Sequence, residues 1–539
     1  MQLSPSAHAD TFCRDSLPPD SQWPELSFTL PALHYPDRLN AAVELLDVTA
    51  DARGDQRCLL AEDGGSWSYA ETVRISNQIA RVLTEQLGLV PGNRVLLRGP
   101  NNPWLAACWL GVVKAGGVAV ATMALLRAGE LATICRVARP ALALCDHRFT
   151  DELEAAGVPG LRIITYGDAT ADDDLTRRAA RMPGDFAAVA TAADDVAMIA
   201  FTSGTTGRPK AAMHFHRDLL AIADTFSSRV LKPRAEDVFT GTPPLAFTYG
   251  LGGLLVFPLR AGASTLLLEK ATPAELADQI AARGVTVLST APTAFRAMLA
   301  AGKAAQLRRL RRPVSAGEHL PGSTWRAFYD ATGVKIIDGI GSTEMLHIFI
   351  SSADDDIRVG STGRAVPGYE AAILDAEGKP VPDGTPGRLA VKGPTGCRYL
   401  ADDRQRAYVA DGWNLTGDTY LRDADGYFWY QARSDDMIIS GGYNIAGPEI
   451  EEVLLGHPDV AECGVVGVPD EARGQIVTAY VVLRDGAGSG AAKVSELQDY
   501  VKKQIAPYKY PRSVQFLEAL PRTNTGKLQR FRLRDLSGS

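Results

Sequence analysis

"FTSGTTGRPKAAMHFH" occupies residues 201–216, directly after the apolar run "DVAMIA". The run reads as a buried strand feeding a loop of glycines and hydroxyls. Beyond the loop, "RDLLAIADTFSSRV" sets Leu219, Ile222, Ala223 and Phe226 at helical spacing, which predicts an amphipathic helix. Strand, glycine loop and helix in that order are the signature of α/β architecture. The loop offers the hydroxyls of Thr202, Ser203, Thr205 and Thr206, the close backbone approach of Gly204 and Gly207, and the Lys210 ammonium, a set suited to phosphate. It is not the nucleoside-triphosphatase loop G-x-x-x-x-G-K-[ST], because Lys210 stands three residues after Gly207 and Ala211 follows it. By itself the loop is also compatible with a plain surface turn.

The same rhythm returns further on. "ASTLLLEK" reads as a strand, and "ATPAELADQIAARG" as a helix with Thr272 as N-cap, Pro273 at its first position, Glu275 completing a capping box and Gly284 as its stop. "VTVLST" is the next strand. "GVKIIDGIGSTE" is a strand that ends in a glycine turn with polar groups at its carboxyl end, where open α/β sheets hold ligands. From about residue 357 to 434, Gly/Pro turns between short strands predict a β-rich subdomain. "AECGVVGVP" and "VSELQDYVKKQI" give strand and helix signals in a last unit, with a boundary near Asp435. The domains expected are 1–434 and 435–539.

At 539 residues the chain exceeds one hydrophobic core, and a prior of roughly 150 residues per unit predicts three or four folding units. With 46% hydrophobic and 22% charged residues, the composition is that of a globular protein. A net charge of −7, spread along the chain, gives no footprint for nucleic acid, and "LRRLRR" at 307–312 reads as a solvated helix face. Seven scattered cysteines, none spaced C-x-x-C, disfavour disulfides and zinc and fit a reducing cytoplasm. The N-terminus carries no apolar run of a secretory signal. "WLAACWLGVVKAGGVAVATMALL" (104–126) is broken by Lys114 and a Gly-Gly pair, so it reads as a buried helix, turn and strand, and no membrane span is expected.

Together with the loop, "GSTE" (341–344), "DGWNLTGDTYLRDADGYFWYQARSDD" (411–436) and "PRTNTGKLQR" (521–530) resemble, in order and spacing, the adenylate-forming superfamily of acyl- and aryl-CoA ligases, luciferases and amino-acid adenylation domains. "RVLLRGPNNPWLAACWLGVVKAGG", "PPLAFTYGLGG" and "GSTEMLHIFIS" look like its benzoate-CoA ligase branch, in particular 2-aminobenzoate-CoA ligases. The resemblance implies a large N-terminal α/β domain with a β-rich subdomain, and a small mobile C-terminal α+β domain. It implies ATP, Mg²⁺ and coenzyme A, a small aromatic acid as substrate, and a monomer or homodimer. ATP would be attacked by the acid to give an acyl-adenylate and pyrophosphate, and the thiol of coenzyme A would then displace AMP.

Carried over by position, the resemblance assigns the loop from Thr202 to Lys210 to the β- and γ-phosphates, Thr343 to the α-phosphate and Glu344 to Mg²⁺. Adenine would lie between the segment containing Gly317 and Glu318 and the strand Asp338, Gly339, Ile340, Gly341. Ile340 stands where many relatives have an aromatic ring. Asp418 would accept from the ribose hydroxyls with help from Arg433, and Lys527 would stabilise charge between carboxylate and α-phosphate. Asp435 matches the hinge, and Gly441 and Gly442 the pantetheine tunnel. Residues 243–257 hold no charged side chain to pair a substrate ammonium, which speaks against an amino acid. Ala246, Phe247, Tyr249, Gly250 and Gly341 read instead as an apolar slot for an aromatic acid. His347 matches a pocket histidine able to hydrogen-bond an ortho substituent, or is a satisfied core residue. The alternatives are a medium-chain acyl-CoA synthetase, an enzyme that passes its adenylate to a non-CoA acceptor, a phosphoryl-transferring NTPase and a nucleotide-binding module without catalysis.

Overall fold

The computed structural model describes residues 3–168, 170–202, 209–433, 436–440, 443–470, 473–505, 509–523 and 526–536. Among these, the strands form four sheets. The first has five parallel strands, ordered Arg162–Tyr166, Leu142–Asp146, Arg94–Gly99, Val118–Met123 and Val196–Thr202, with Lys210–Phe215 antiparallel at its edge. The second runs parallel through Ile337–Gly341, Arg312–Ser315, Val287–Thr290, Val238–Gly241, Ser264–Leu267 and Arg57–Ala61, with antiparallel strands at both ends. Their inner strands, such as Arg94–Gly99, Leu142–Asp146, Val196–Thr202 and Val287–Thr290, are short apolar runs buried along nearly all their length, as sheets covered on both faces require.

The helix expected beyond the glycine loop is present as His216–Ile222 and Ala223–Leu231, but a strand not foreseen, Lys210–Phe215, precedes it and pairs with Val196–Thr202. The helix His216–Ile222 and its π-helical continuation Ala223–Leu231 are buried on nearly every face, because they lie within the main core and pack against further helical segments. An amphipathic pattern was read into a segment with almost no solvent face. "LRRLRR" is likewise no helix face: Leu307 ends the short helix Ala304–Leu307, Arg312 opens a strand, and Arg311 and Arg312 pair with Asp237 and Asp354.

Other local readings hold. Thr272 and Glu275 form the capping box of Pro273–Arg283, and Gly284 ends it at φ +70°, a conformation that favours glycine. The helix Pro103–Lys114 is capped by Asn102 and is followed by the buried strand Val118–Met123. Lys114, fully buried at its end, reaches Asp47 at 2.7 Å and Asn77 at 2.8 Å, which explains a cation in so apolar a stretch. No helix among the described residues is long and apolar enough to cross a membrane.

In the β-rich stretch, Arg364–Ala365 joins the edge of the second sheet. A separate antiparallel sheet begins at Glu370–Leu374 and continues through Gly387–Lys392 and Trp413–Arg422 to Phe428–Arg433. After it the chain enters a last sheet, built on Val460–Asp470 and Gly474–Leu483 and covered by the helices Gly447–Leu455 and Ala491–Gln504. This unit has its own core, including Ile438, Ile450, Val465, Val481 and Leu497. Asp435, the expected hinge, lies outside the described residues.

Candidate active site

The hairpin closes on the pair Thr202 and Lys210. Ser203, Gly204, Thr205, Thr206 and Gly207 lie outside the described residues. Lys210 Nζ donates to the Tyr399 hydroxyl at 3.1 Å and stands 3.9 Å from Glu344 Oε1. The same hydroxyl donates to Glu344 Oε1 at 2.5 Å, so one oxygen joins the cation of the first motif to the carboxylate of the second. Burial and the Glu344 charge both push the Tyr399 pKa up, which keeps the hydroxyl a donor. Glu344 and Thr343 sit on the turn after Ile337–Gly341, which Ser342 holds by accepting from Met345 N and pairing with the Tyr408 hydroxyl at 3.1 Å. Arg404 donates to the Pro209 carbonyl at the loop's end.

Tyr399, Arg404 and Tyr408 were not singled out in the sequence. Their segment, "CRYLADDRQRAY", joins the first sheet through Ala212 and Tyr399, a pairing across nearly two hundred residues that local pattern does not reveal.

Asp338 lies beside Ser315 on adjacent parallel strands. Burial pushes its carboxyl well above the ordinary carboxylate range, and Oδ1 has no hydrogen-bond partner among the described residues. A small cavity opens there, lined by Leu320, Trp325, Asp338, Gly360 and Thr362 among others. Gly339 and Gly341 lie under the strand Ile348–Ser351, where a Cβ would come within 2.8 Å of Ile348 and 2.6 Å of the His347 carbonyl. Ile340 is half-buried against the main core. Asp418 and Arg433 are opposite each other on neighbouring strands, and Arg433 Nη1 donates to Asp418 Oδ1 at 3.0 Å. Burial raises the Asp418 pKa against the opposing pull of Arg433.

The C-terminal unit delivers Lys527 to this cleft. Its Cε lies 4.0 Å from where a Gly317 side chain would begin, and Arg522 reaches Glu318 at 3.5 Å. The loop before Lys527 is closed by Thr523, which donates to the Lys527 carbonyl and accepts from the Lys527 N–H. The side chain meets solvent in the open cleft, yet the walls crowd its ammonium. That desolvation lowers its pKa first and Arg433 lowers it further, while Glu318, Asp418 and Glu344 oppose the shift. Three segments named from sequence thus act on one ammonium. Gly441 and Gly442 lie outside the described residues.

Asn101 fixes the start of the apolar segment, accepting from Leu245 N at 2.8 Å and donating to the Pro243 carbonyl at 3.0 Å. Gly250 closes the turn, since a Cβ there would stand 2.0 Å from the Pro244 carbonyl oxygen. Ala246 is buried and Phe247 half-buried. The Tyr249 hydroxyl donates to the carbonyls of Val314 at 3.0 Å and Thr290 at 3.3 Å. His347 is buried among Phe226, Tyr249 and Phe257, with the Phe257 ring edge-on at 4.6 Å. Gly252 makes room for it, because a Cβ there would stand 2.3 Å from His347 Cδ2. Burial pushes His347 down to about 3, so the ring is neutral. Neither ring nitrogen meets full hydrogen-bond geometry with a described residue, and the Tyr249 backbone is the polar group that opposes the effect of burial on the ring.

The chain has relatives among known proteins along nearly all its length. The AMP-binding enzyme family matches residues 46–399, and the AMP-binding enzyme C-terminal domain matches residues 449–527. A benzoate-CoA ligase of Thauera aromatica is 35% identical over 94% of this chain and 98% of its own. The crystal structure of an anthranilate CoA ligase in complex with anthranoyl-AMP superposes with a TM-score of 0.89 at 34% identity, covering 94% of this chain and 99% of that one. A benzoate CoA ligase from Burkholderia xenovorans LB400 gives 0.85 at 32% identity, covering 92% and 100%. The chain belongs to the AMP-binding enzyme family, the ATP-dependent, AMP-forming acyl- and aryl-CoA ligases.

Proposed function

We propose that the protein activates an aromatic carboxylate, 2-aminobenzoate or benzoate, with ATP and transfers the aroyl group to coenzyme A. The observation that carries this reading is the convergence of Glu318, Glu344, Asp418 and Lys527, drawn from four separate segments, on one cleft beside an uncharged aromatic segment.

The acid's oxygen attacks the α-phosphorus of ATP, and the bond to the β-phosphate oxygen breaks. Lys210 and the hairpin loop hold the departing pyrophosphate, and Thr343 contacts the α-phosphate. Lys527 balances charge where carboxylate and phosphate meet, which is electrostatic work done best by a preplaced group. Asp418 accepts from the ribose hydroxyls, oriented by Arg433. Asp338, near the adenine amino group, offers the buried oxygen that lacks a partner. Glu344 offers a carboxylate, the oxygen ligand a hard cation takes, next to the Thr343 proposed for the α-phosphate, and would hold Mg²⁺. When bound, Mg²⁺ supplies charge neutralisation on the phosphates.

In the second step the thiol of coenzyme A attacks the aroyl carbon and AMP leaves. Lys527 and the thiol compete for one face of the adenylate, so residues 435–539 turn about Asp435 relative to 1–434, and Gly441 and Gly442 then line the thiol's path. The neutral His347 has a nitrogen available for an ortho-amino group, and the neighbouring aromatic rings favour a flat acid. The test is a panel of benzoate, 2-aminobenzoate, 2-hydroxybenzoate and medium-chain fatty acids, reading AMP release and thioester. Turnover of the aromatic acids supports the proposal. Turnover of fatty acids alone, or release of ADP, refutes it.

A further inference from the structure

The helix Gly322–Thr332 begins without a cap of its own. Its N-cap position is Pro321, no side chain of its flank bonds its first turn, and that turn holds no acidic residue. Such a start leaves N–H groups aimed along the axis without intrahelical partners and favours a nearby negative charge. The partner comes from the other unit. Glu452, on the helix Gly447–Leu455, accepts from Ser323 N with Oε1 at 2.7 Å. Glu452 Oε2 and Ser323 Oγ are buried too, so the contact is closed to solvent and is not a loose surface pair.

This helix directly follows the segment that meets Lys527. Arg522 of the C-terminal unit reaches Glu318 at 3.5 Å, Lys527 passes over Gly317, and Glu452 takes the helix start a few residues on. Between them His319 stacks on Tyr430 at 5.1 Å. Residues 317–323 are therefore gripped at both ends by the unit that carries the lysine.

We propose that Glu452 is a positioning residue for Lys527: it caps the helix Gly322–Thr332 across the boundary between the two units and so favours the orientation in which Lys527 faces the cleft. The inference rests on the reading above, in which two half-reactions use two orientations. A contact made in one orientation and absent in the other shifts the balance by its own free energy. For a helix cap that is a factor of about three to thirty.

Glu452→Ala and Glu452→Gln test it. Single-turnover release of pyrophosphate from ATP and aromatic acid without coenzyme A reads the first half-reaction. Thioester formation from synthetic aroyl-adenylate and coenzyme A reads the second. Glu452→Ala should slow the first about three- to thirtyfold and leave the second unchanged or faster. Glu452→Gln, which keeps an acceptor oxygen and guards against a folding defect in the alanine variant, should fall between it and wild type. Thermal unfolding confirms that both are folded. A Glu452→Ala protein unchanged in both half-reactions, or slowed equally in both, overturns the proposal. Wild type that releases no pyrophosphate with any aromatic acid refutes instead the functional reading on which the proposal rests.

Discussion

The two ends of the cleft are built differently. At the phosphate end, Lys210, Tyr399 and Glu344 form one connected chain of hydrogen bonds before any ligand arrives. At the adenine and acid end, Asp338 Oδ1 and the two His347 ring nitrogens are buried without a well-formed hydrogen bond to a described residue. A buried polar atom without a partner costs stability, and one that lines a ligand cleft can be satisfied by the ligand. On the function proposed, the phosphate end is preorganised for charge that every turnover brings. The other end keeps hydrogen-bonding capacity for the groups that distinguish one substrate from another.

The comparison breaks first at Lys527. Lys527→Ala should slow adenylate formation by about a hundredfold or more, as loss of a preplaced charge at a transition state does. It should leave thioester formation from synthetic aroyl-adenylate within about threefold, because the second step does not place that ammonium at the reacting atoms. Equal loss in both would remove the division of labour between the two orientations.

Next is the connected chain itself. Tyr399→Phe removes the hydroxyl that Lys210 and Glu344 share and should raise KM for ATP at fixed Mg²⁺ about tenfold, the scale of one hydrogen bond to charged groups. Thermal stability should fall by about 1–3 kcal/mol, since the buried Glu344 oxygen loses its donor. Unchanged ATP dependence would mean that the phosphate end is not preorganised through this oxygen.

At the opposite end, His347→Phe keeps the aromatic packing and deletes both nitrogens. It should lower kcat/KM for 2-aminobenzoate relative to benzoate about fivefold, the worth of one neutral hydrogen bond. An unchanged ratio would make His347 part of the core and no contact of the ring substituent.

A further effect is on stability as a function of pH. Burial pushes His214, His216 and His347 down to about 3 and His319 to about 4, whereas an unfolded histidine titrates near 6.5. Below 6.5 the unfolded chain binds more protons than the folded one. The stability these neutral rings confer is complete above that pH and is lost as pH falls through 6.5 toward 3 to 4. The slope is on the order of 1.4 kcal/mol per pH unit for each ring. Unfolding midpoints measured between pH 7.5 and 5 should fall accordingly, less steeply in His347→Phe than in wild type.

The residues proposed for the phosphate end could be named from sequence because they sit in contiguous motifs, and the structure brings them together. Lys210, Thr343, Glu344 and Lys527 each carry a local signature of glycines and hydroxyls, and the strand and turn of 337–344 came out as read. Tyr399 was not legible, since what matters about it is a cross-strand neighbour far away in sequence. The hairpin strand Lys210–Phe215 was missed for a related reason: its pairing with Val196–Thr202 is set by the sheet edge, and "KAAMHF" alone carries weak strand pattern. Gly252 was passed over because its role is steric room for the His347 ring, which only packing reveals. The pair of Asp418 and Arg433 was found by motif, and the hairpin of the antiparallel sheet supplies the reason for its spacing.

The central claim is that the acid's own oxygen takes AMP from ATP before sulfur displaces it. Turnover with an ¹⁸O-carboxyl-labelled aromatic acid, followed by mass spectrometry of the products, tests it directly. The account predicts one labelled oxygen in AMP and none in orthophosphate or pyrophosphate. Label in orthophosphate, with unlabelled AMP or with ADP as product, would contradict it.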